Sequence, residues 1–256
     1  METLRVVFLF LLGILSLAPR AGAVNWFPER GLTPRHLADP HEPLLRLTMV
    51  PGKNRYEAML GSPLPILVSR GEGTRIGVSL EGAALLILGR EGGFFPLRTV
   101  DGVIRAGVEL ERSGRLLRLR LTHISAHQAD GDSAVSYRGK TYSREFLDLE
   151  AGLHSETWFV YAGGGGAWHA VPHDPGIHLF AGSVWSPRAP GPVAAAHLSL
   201  DRRRGWRLTK SFLAGAQFGN GPSFRAGLRY FEGNRPEGQY DERTEQYLGI
   251  EIQYSR

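Results

Sequence analysis

A serine flanked by two histidines, in the segment His123-Ile124-Ser125-Ala126-His127, has the clearest chemical potential in this chain. A serine hydroxyl attacks an ester efficiently when a neighbouring base removes its proton, and histidine is the most frequent base. In a β-strand, residues two apart share a face, with their Cα atoms roughly 6.5–7 Å apart. The spacing therefore predicts Ser125 as a nucleophile and His123 as its general base.

The residues that precede this segment place it on an apolar face. Leucines and polar residues alternate there, with Leu117, Leu119 and Leu121 on one face and Arg118, Arg120 and Thr122 on the other. Continuing the register puts His123, Ser125 and His127 on the leucine face. A polar trio that ends an apolar face fits the outer wall of a membrane β-barrel, where lipid meets water. Membrane lipids are therefore the predicted partners.

The next apolar segment supplies a third group. Its odd residues Leu147 and Leu149 form an apolar face, so Glu145 and Ser143 lie on the same face nearer to the preceding loop. A histidine base requires a further group to orient its imidazole. The sequence thus predicts a Ser125–His123–Glu145 triad, with Ser143 as a second candidate partner.

A divalent metal site is an alternative use of the same region. His127, with Asp130 and Asp132 in the following loop, provides candidate metal ligands, and carboxylates suit calcium, the candidate cofactor. His123 and His127 are roughly 13 Å apart in a straight strand, so both bind one ion only if the strand bends. A third interpretation is a structural polar rim that ends the hydrophobic band.

The start of the chain indicates export. Residues 1–23 combine Arg5, a short apolar run and a small-residue site at Ala21-Gly22-Ala23, as in a cleaved signal peptide; the alternative is a retained anchor. The 256 residues include no cysteine, which excludes disulfides, thiolate metal ligands and a cysteine nucleophile. A closed β-barrel pairs its backbone groups without disulfides.

Charge provides a weaker constraint on partners. The formal net charge is +5, a modest excess, and the arginines are scattered along alternating segments apart from Arg202-Arg203-Arg204. No nucleic-acid-binding motif accompanies them, so nucleic acid is not a predicted partner.

Residues 24–55 are rich in proline and charge and are interpreted as an irregular periplasmic leader, followed by the barrel at 56–256. The candidate strands are 56–69, 75–81, 84–98, 102–110, 115–127, 142–153, 157–168, 177–184, 192–200, 206–217, 222–231 and 246–254. This pattern predicts an all-β fold, an antiparallel up-and-down transmembrane β-barrel of about 12 strands in the outer membrane.

The connections predict the orientation of the barrel. With the C-terminus in the periplasm, the long connections 128–141 and 232–245 become external, and the short ones 154–156 and 219–222 become periplasmic. His123, Ser125 and His127 then lie at the external rim. The inward-facing residues mix both charges, which favours a lumen filled by side chains over an open pore.

The chain resembles domain-of-unknown-function family 1207, a family of exported bacterial outer-membrane β-proteins. The matching stretches are Phe27-Pro28 through Asp39-Pro40, Arg118 through His127, Ser143-Arg144-Glu145, Tyr161 through Gly165, and Tyr230 through Gly233 with Gly238-Gln239-Tyr240. This chain has Ala126 where the family pattern has a second serine. The resemblance implies an outer-membrane location and carries no activity.

A second, local resemblance is to outer-membrane phospholipase A and lipid A deacylase, which use a His-x-Ser on the lipid-facing wall of a barrel. The matches are His123, Ser125 and Glu145, and Ser143-Arg144 is similar to a pair in the phospholipase. The resemblance implies a serine acyl hydrolase acting on lipid A or phospholipid of the outer leaflet. The alternative is a non-enzymatic structural or binding barrel of the outer membrane.

Overall fold

The computed structural model describes residues 23–129, 141–173, 176–202, 205–219 and 222–255. The predicted signal peptide, apart from Ala23, lies outside these residues. Thirteen strands in the described part form one antiparallel sheet. They are β1 (Ala23–Trp26), β2 (Leu45–Val50), β3 (Arg55–Arg70), β4 (Arg75–Gly89), β5 (Leu97–Arg112), β6 (Arg115–Gln128), β7 (Tyr142–His154), β8 (Trp158–Val171), β9 (Ile177–Trp185), β10 (Gly191–Asp201), β11 (Arg207–Phe218), β12 (Ser223–Asn234) and β13 (Thr244–Ser255).

The sheet closes on itself because β3 pairs with both β2 and β4, and β2 pairs with β13. Strands β2 to β13 therefore form a closed antiparallel barrel of 12 strands, which confirms the predicted fold class. The extra strand β1 pairs with the far end of β3, from Leu67 to Arg70. Closure gives every barrel strand two hydrogen-bonded neighbours.

The strand number matches the prediction through two errors that offset each other. The prediction of two strands at 75–81 and 84–98 is wrong, because a single strand, β4, runs unbroken from Arg75 to Gly89. The gap predicted at residues 82–83 is absent, and Glu81 points into the lumen, where its carboxylate lies 3.5 Å from the Arg105 guanidinium. A buried ion pair thus allows a charged residue in mid-strand.

Strand β2 lies within the range 24–55, which the sequence suggested to be irregular. Its six residues stand between Pro43 and Pro51, and so short a segment gives little alternation to detect. In the barrel, Thr48 faces the lumen and donates a hydrogen bond of 2.7 Å to Glu251 of β13. This strand supplies the pairing that closes the barrel.

The two faces of the barrel have opposite characters. The outward side chains, here called the outer wall, form an exposed apolar surface that includes Leu60, Leu64, Ile104, Leu117, Leu147, Leu149, Leu153, Leu179, Leu228, Leu248 and Ile250. The lumen instead buries charged pairs, and Arg118 donates to Glu150 at 2.8 Å and Arg120 to Asp148 at 3.2 Å. This is the inverse of a soluble β-protein, whose apolar side chains fill its interior.

Residues 27–44, here called the plug segment, enter the lumen between β1 and β2. Leu37 and Ala38 are almost completely buried, and their carbonyls accept hydrogen bonds of 2.9 Å from the two Nη atoms of Arg229 on β12. His36 stacks on Tyr161 of β8, with ring centroids 3.8 Å apart. The lumen is therefore filled by the chain's own N-terminal segment as well as by wall side chains.

The connections differ in length at the two ends of the barrel. The long-loop rim carries 129–141 and 235–243, whereas the short-turn rim carries 113–114 and 155–157. At the long-loop rim, a 3-10 helix (Gly238–Tyr240) folds inward over the lumen. In the described part of the chain, no helix combines the length and apolar character needed to cross a bilayer.

Two of the cavities bounded by described residues lie near opposite rims of the barrel. The cavity near the long-loop rim has a volume of about 130 Å³ and is lined by Asp39 and His41, while the larger one near the short-turn rim, about 1400 Å³, is lined by residues 27–35. Residues of the plug segment therefore line both cavities.

Candidate active site on the outer wall

Strand β6 places the predicted nucleophile and base on the outer wall. Ile124 and Ala126 are buried toward the lumen, whereas His123 and Ser125 are partly exposed on the opposite side. Both follow the leucines of β6 and lie close to the long-loop rim. The alternation predicted from the sequence is therefore confirmed through this segment.

His123 and Glu145 are brought together by the register of β6 and β7, in which they are directly opposed. The Nδ1 atom of His123 lies 3.3 Å from Oε1 of Glu145, and their side chains are 37% and 11% exposed. An ionised carboxylate only accepts hydrogen bonds, so a neutral His123 carries its proton on Nδ1. The Nε2 atom is then left with the lone pair that a general base needs.

Ser125 lies two residues beyond His123, and its neighbours in the sheet are Gly102 of β5 and Ser143 of β7. Its Oγ forms no hydrogen bond with any described side chain, including that of His123. Catalytic hydrogen bonds are often long in a free enzyme and shorten when substrate binds. The structure thus brings His123, the predicted base, into contact with Glu145, and Ser125, the predicted nucleophile, lies in the next outward-facing row.

Gly102 leaves the β5 side of Ser125 open. A Cβ atom placed on Gly102 would lie 3.3 Å from the Ser125 Oγ, so the hydroxyl projects over the glycine. In the next row of the sheet, Ile104 lies opposite His123 and is well exposed on the outer wall. A substrate can therefore approach the serine over β5 alongside an apolar surface.

The inner face of the barrel supports these strand ends. Val103, Ile124, Ala126 and Tyr142 form a buried cluster directly behind the candidate site. The side chain of Gln239, in the 3-10 helix, donates a hydrogen bond of 2.9 Å to the Ala126 carbonyl. The long-loop rim therefore braces the backbone that carries Ser125.

The predicted metal ligands are not gathered by the described residues. His127 is exposed on the outer wall, two residues after Ser125. Asp130 and Asp132 lie outside the described residues. Because the strand is extended from His123 to Gln128, the two histidines are too far apart to share an ion.

A different group meets the geometry of a metal site within the plug segment. His36, Asp39 and Glu42 offer ligand atoms within 4.8 Å of one another among the described residues. However, the guanidinium groups of Arg35 and Arg105 lie 3.6 and 3.7 Å from the Glu42 carboxylate. These charges oppose a cation, so the group is better described as an ion-pair network.

Comparisons with protein-family models, with curated proteins and with solved structures found no match. The likeness to domain-of-unknown-function family 1207 and to the outer-membrane acyl hydrolases stays a prediction from the residues.

Sequence reasoning missed the residues that meet in the lumen. His36 and Asp39 of the plug segment reach the inner wall, which no local pattern in a proline-rich stretch could reveal. Arg105 and Arg144 also converge on the cavity near the long-loop rim. The alternation along each strand predicts that both arginines face inward, but the sequence does not reveal that they line the same cavity.

Proposed function

We propose that this protein is a serine acyl hydrolase of the outer membrane that acts on lipid A or phospholipid of the outer leaflet. The observation that carries this proposal is the contact of His123 with Glu145 on the apolar outer wall, with Ser125 adjacent. A partly exposed base–acid pair on a wall that is otherwise apolar is well placed to activate a neighbouring hydroxyl.

The outer wall supports a membrane location. Exposed leucines cover it, and tryptophans lie near both of its edges: Trp158 and Trp185 are adjacent near the short-turn rim, and Trp168 is near the long-loop rim. Tryptophan is typical of membrane–water interfaces. In bacterial barrels the longer loops face the exterior, so the long-loop rim with Ser125 is assigned to the outer leaflet.

The proposed reaction divides hydrolysis into two steps. Oγ of Ser125 attacks the ester carbonyl while Nε2 of His123 takes the hydroxyl proton, and the tetrahedral intermediate expels the alcohol, which receives that proton from His123. Water then attacks the acyl-serine, again with His123 as base, and releases the fatty acid. Glu145 keeps the proton of the imidazole on Nδ1 and stabilises the imidazolium that forms in each step.

The oxyanion of each tetrahedral intermediate needs a hydrogen-bond donor. Ser143 is directly opposite Ser125 on β7, and Cβ atoms of such pairs are about 4.5–5.5 Å apart. Its hydroxyl is therefore the proposed donor.

The test is fatty-acid release by the refolded protein in detergent micelles containing phospholipid or lipid A, with and without calcium. Release that disappears in a folded Ser125→Ala variant supports the proposal. Ser155, an exposed serine in the turn at the short-turn rim, gives the matched control Ser155→Ala, which should hydrolyse both lipids normally. Absence of release by the folded wild-type protein would contradict the proposal.

A non-enzymatic binding or structural barrel is the second candidate function. The observation in its favour is that Oγ of Ser125 has no hydrogen bond to His123, so that the histidine and glutamate could serve as a polar edge to the apolar band. It predicts that Ser125→Ala changes no measurable property, so the same assay separates the two functions.

A further inference from the structure

We propose that the cavity near the long-loop rim is a binding site for a phosphate group carried by a soluble molecule. The cavity lies inside the lumen, and Asp39 and His41 of the plug segment are among the residues that line it. Its volume of about 130 Å³ corresponds to roughly four water molecules. It faces away from Ser125, and the inference does not depend on the proposed hydrolase.

Three arginines from adjacent strands line this cavity. Arg105 of β5, Arg120 of β6 and Arg144 of β7 have side chains that are 3%, 7% and 9% exposed. In the sheet, Arg105 occupies one row, and Arg144 and Arg120 occupy the rows on either side of it. The guanidinium groups therefore enter one cavity from neighbouring positions of the same wall.

These arginines have more hydrogen-bond donors than the surrounding residues satisfy. The Nε atoms of all three, Nη1 of Arg120 and Nη2 of Arg144 are buried and have no hydrogen-bond partner among the described residues. Burying a donor without a partner costs about 1–3 kcal/mol, and more for a charged group. Five unpartnered donors in one cavity lining indicate a ligand that presents several acceptor oxygens.

Four carboxylates line the cavity beside these arginines: Asp39, Asp148, Asp201 and Asp241. Asp148 accepts from Arg120 and also lies 2.7 Å from Nε2 of His178, and Asp201 lies 3.5 Å from the Arg144 guanidinium. The four carboxylates balance the charge of the four lining arginines, which include Arg235, but they leave the donors named above without hydrogen-bond partners. The unpartnered donors, and not an excess of positive charge, are therefore the feature that favours an anion.

The geometry favours phosphate over a carboxylate. Arginine donates paired hydrogen bonds to the oxygens of either group, but a carboxylate has two oxygens and a phosphate monoester has three. Three arginines at successive heights of one wall match the larger number of acceptors. A phosphate group also fits the small volume, and the remainder of its molecule can extend toward the rim.

Access is from the long-loop rim. Asp201 and Asn234, at the ends of β10 and β12, line the cavity there, and His41 of the plug segment lies 3.0 Å from the carbonyl of Pro236 in the connection 235–243. The phosphates of lipids outside the barrel are separated from the cavity by the wall. The ligand is therefore a soluble phosphate compound from the side of the long loops.

The experiment is calorimetric titration of the full protein in detergent with inorganic phosphate, and separately with acetate. Saturable phosphate binding to the wild type is expected, with acetate weaker. Arg144→Gln should weaken phosphate binding by about tenfold or more, since it removes two charged donors. Arg225→Gln, which replaces another buried lumen arginine at the larger cavity, should leave the affinity nearly unchanged.

Two outcomes would overturn the inference: no phosphate binding by the folded wild type, or equal losses of affinity in Arg144→Gln and Arg225→Gln, which would show a response to net charge alone. If Arg144→Gln fails to fold, Arg144→Lys retains the charge but not the forked donors, and it must also weaken binding. Titration of detergent-solubilised phosphatidic acid distinguishes the lipid source, and binding to it comparable with that of free phosphate would contradict the proposed access.

Discussion

His123 and Glu145 face each other across β6 and β7 on the outer wall, with Nδ1 and Oε1 3.3 Å apart. Two residues further toward the long-loop rim, the same register opposes Ser125 and Ser143. The base and its acid thus occupy one row of the sheet, and the nucleophile and the proposed oxyanion donor occupy the next outward-facing row. The predictions below test this arrangement and the lumen that supports it.

Glu145 is expected to control the orientation and charge of His123. Glu145→Ala should reduce kcat for fatty-acid release by about a hundredfold or more, the range of a general-base contribution. Glu145→Gln retains an acceptor for the Nδ1 proton and should be less impaired. Glu156→Gln changes an exposed glutamate at the short-turn rim and serves as the control. Equal activity of Glu145→Ala and wild type would exclude the triad.

Gly102 is expected to keep the approach to Ser125 open. A side chain there meets the Ser125 Oγ at 3.3 Å or less, so Gly102→Val should lower kcat/KM by about tenfold or more through misplacement of the attacking oxygen. Gly82 provides a matched control, because it is exposed on the neighbouring strand β4 and an added Cβ meets no atom within 4 Å. If Gly82→Val and Gly102→Val are equally active, substrate does not approach over β5.

Arg229 is expected to hold the plug segment in the lumen. It donates to the Leu37 and Ala38 carbonyls and forms a buried ion pair with Glu251. Arg229→Met should lower the free energy of unfolding by about 3–5 kcal/mol, because the Glu251 carboxylate remains buried without that partner. The exposed Arg112→Met is the control, and both are measured by denaturant unfolding. Equal stability of the two variants would show that this anchor is unimportant.

Acid is expected to destabilise the plug segment through Asp39. Burial by itself raises the pKa of Asp39, but the charges of His197 and Arg105 outweigh this effect and hold the pKa well below its ordinary value of 3.8. The folded protein therefore favours the carboxylate, and this stability is present above about pH 4 and is lost as the pH falls toward the folded pKa.

The corresponding measurement is thermal unfolding at several pH values, for wild type and Asp39→Asn. The variant should be the less stable protein near pH 6, and the difference should narrow below about pH 4 as the wild-type carboxylate loses its advantage. A difference that is constant over this range would show that Asp39 does not contribute by its charge.

Much of the outer wall was predictable because strand alternation is a local property. Leu117, Leu119 and Leu121 set a register that extends through Ser125, and the structure retains it. To predict that His123 and Glu145 lie directly opposite each other, one must also know the register between two strands that are joined by a loop. The sequence placed both residues near one rim, and the pairing of the strands made them direct neighbours.

The lumen was less predictable because its contacts join residues that are distant in the chain. The Leu37 carbonyl accepts hydrogen bonds from Arg229 and Gln253, which are 192 and 216 residues away in the sequence. The predicted gap after Glu81 is absent from the structure, in which Glu81 pairs with Arg105 on another strand. Long-range hydrogen bonds and ion pairs therefore account for both the missed plug segment and the misplaced strand boundary.

The central claim is that His123 activates Ser125, and covalent labelling tests it most directly. The refolded protein in detergent would be treated with a long-chain alkyl sulfonyl fluoride, and the modified residue identified by peptide mass spectrometry. The account predicts modification of Ser125 and not of the exposed Ser155, with the reaction abolished in His123→Ala. No modification of Ser125, or equal modification with and without His123, would contradict it.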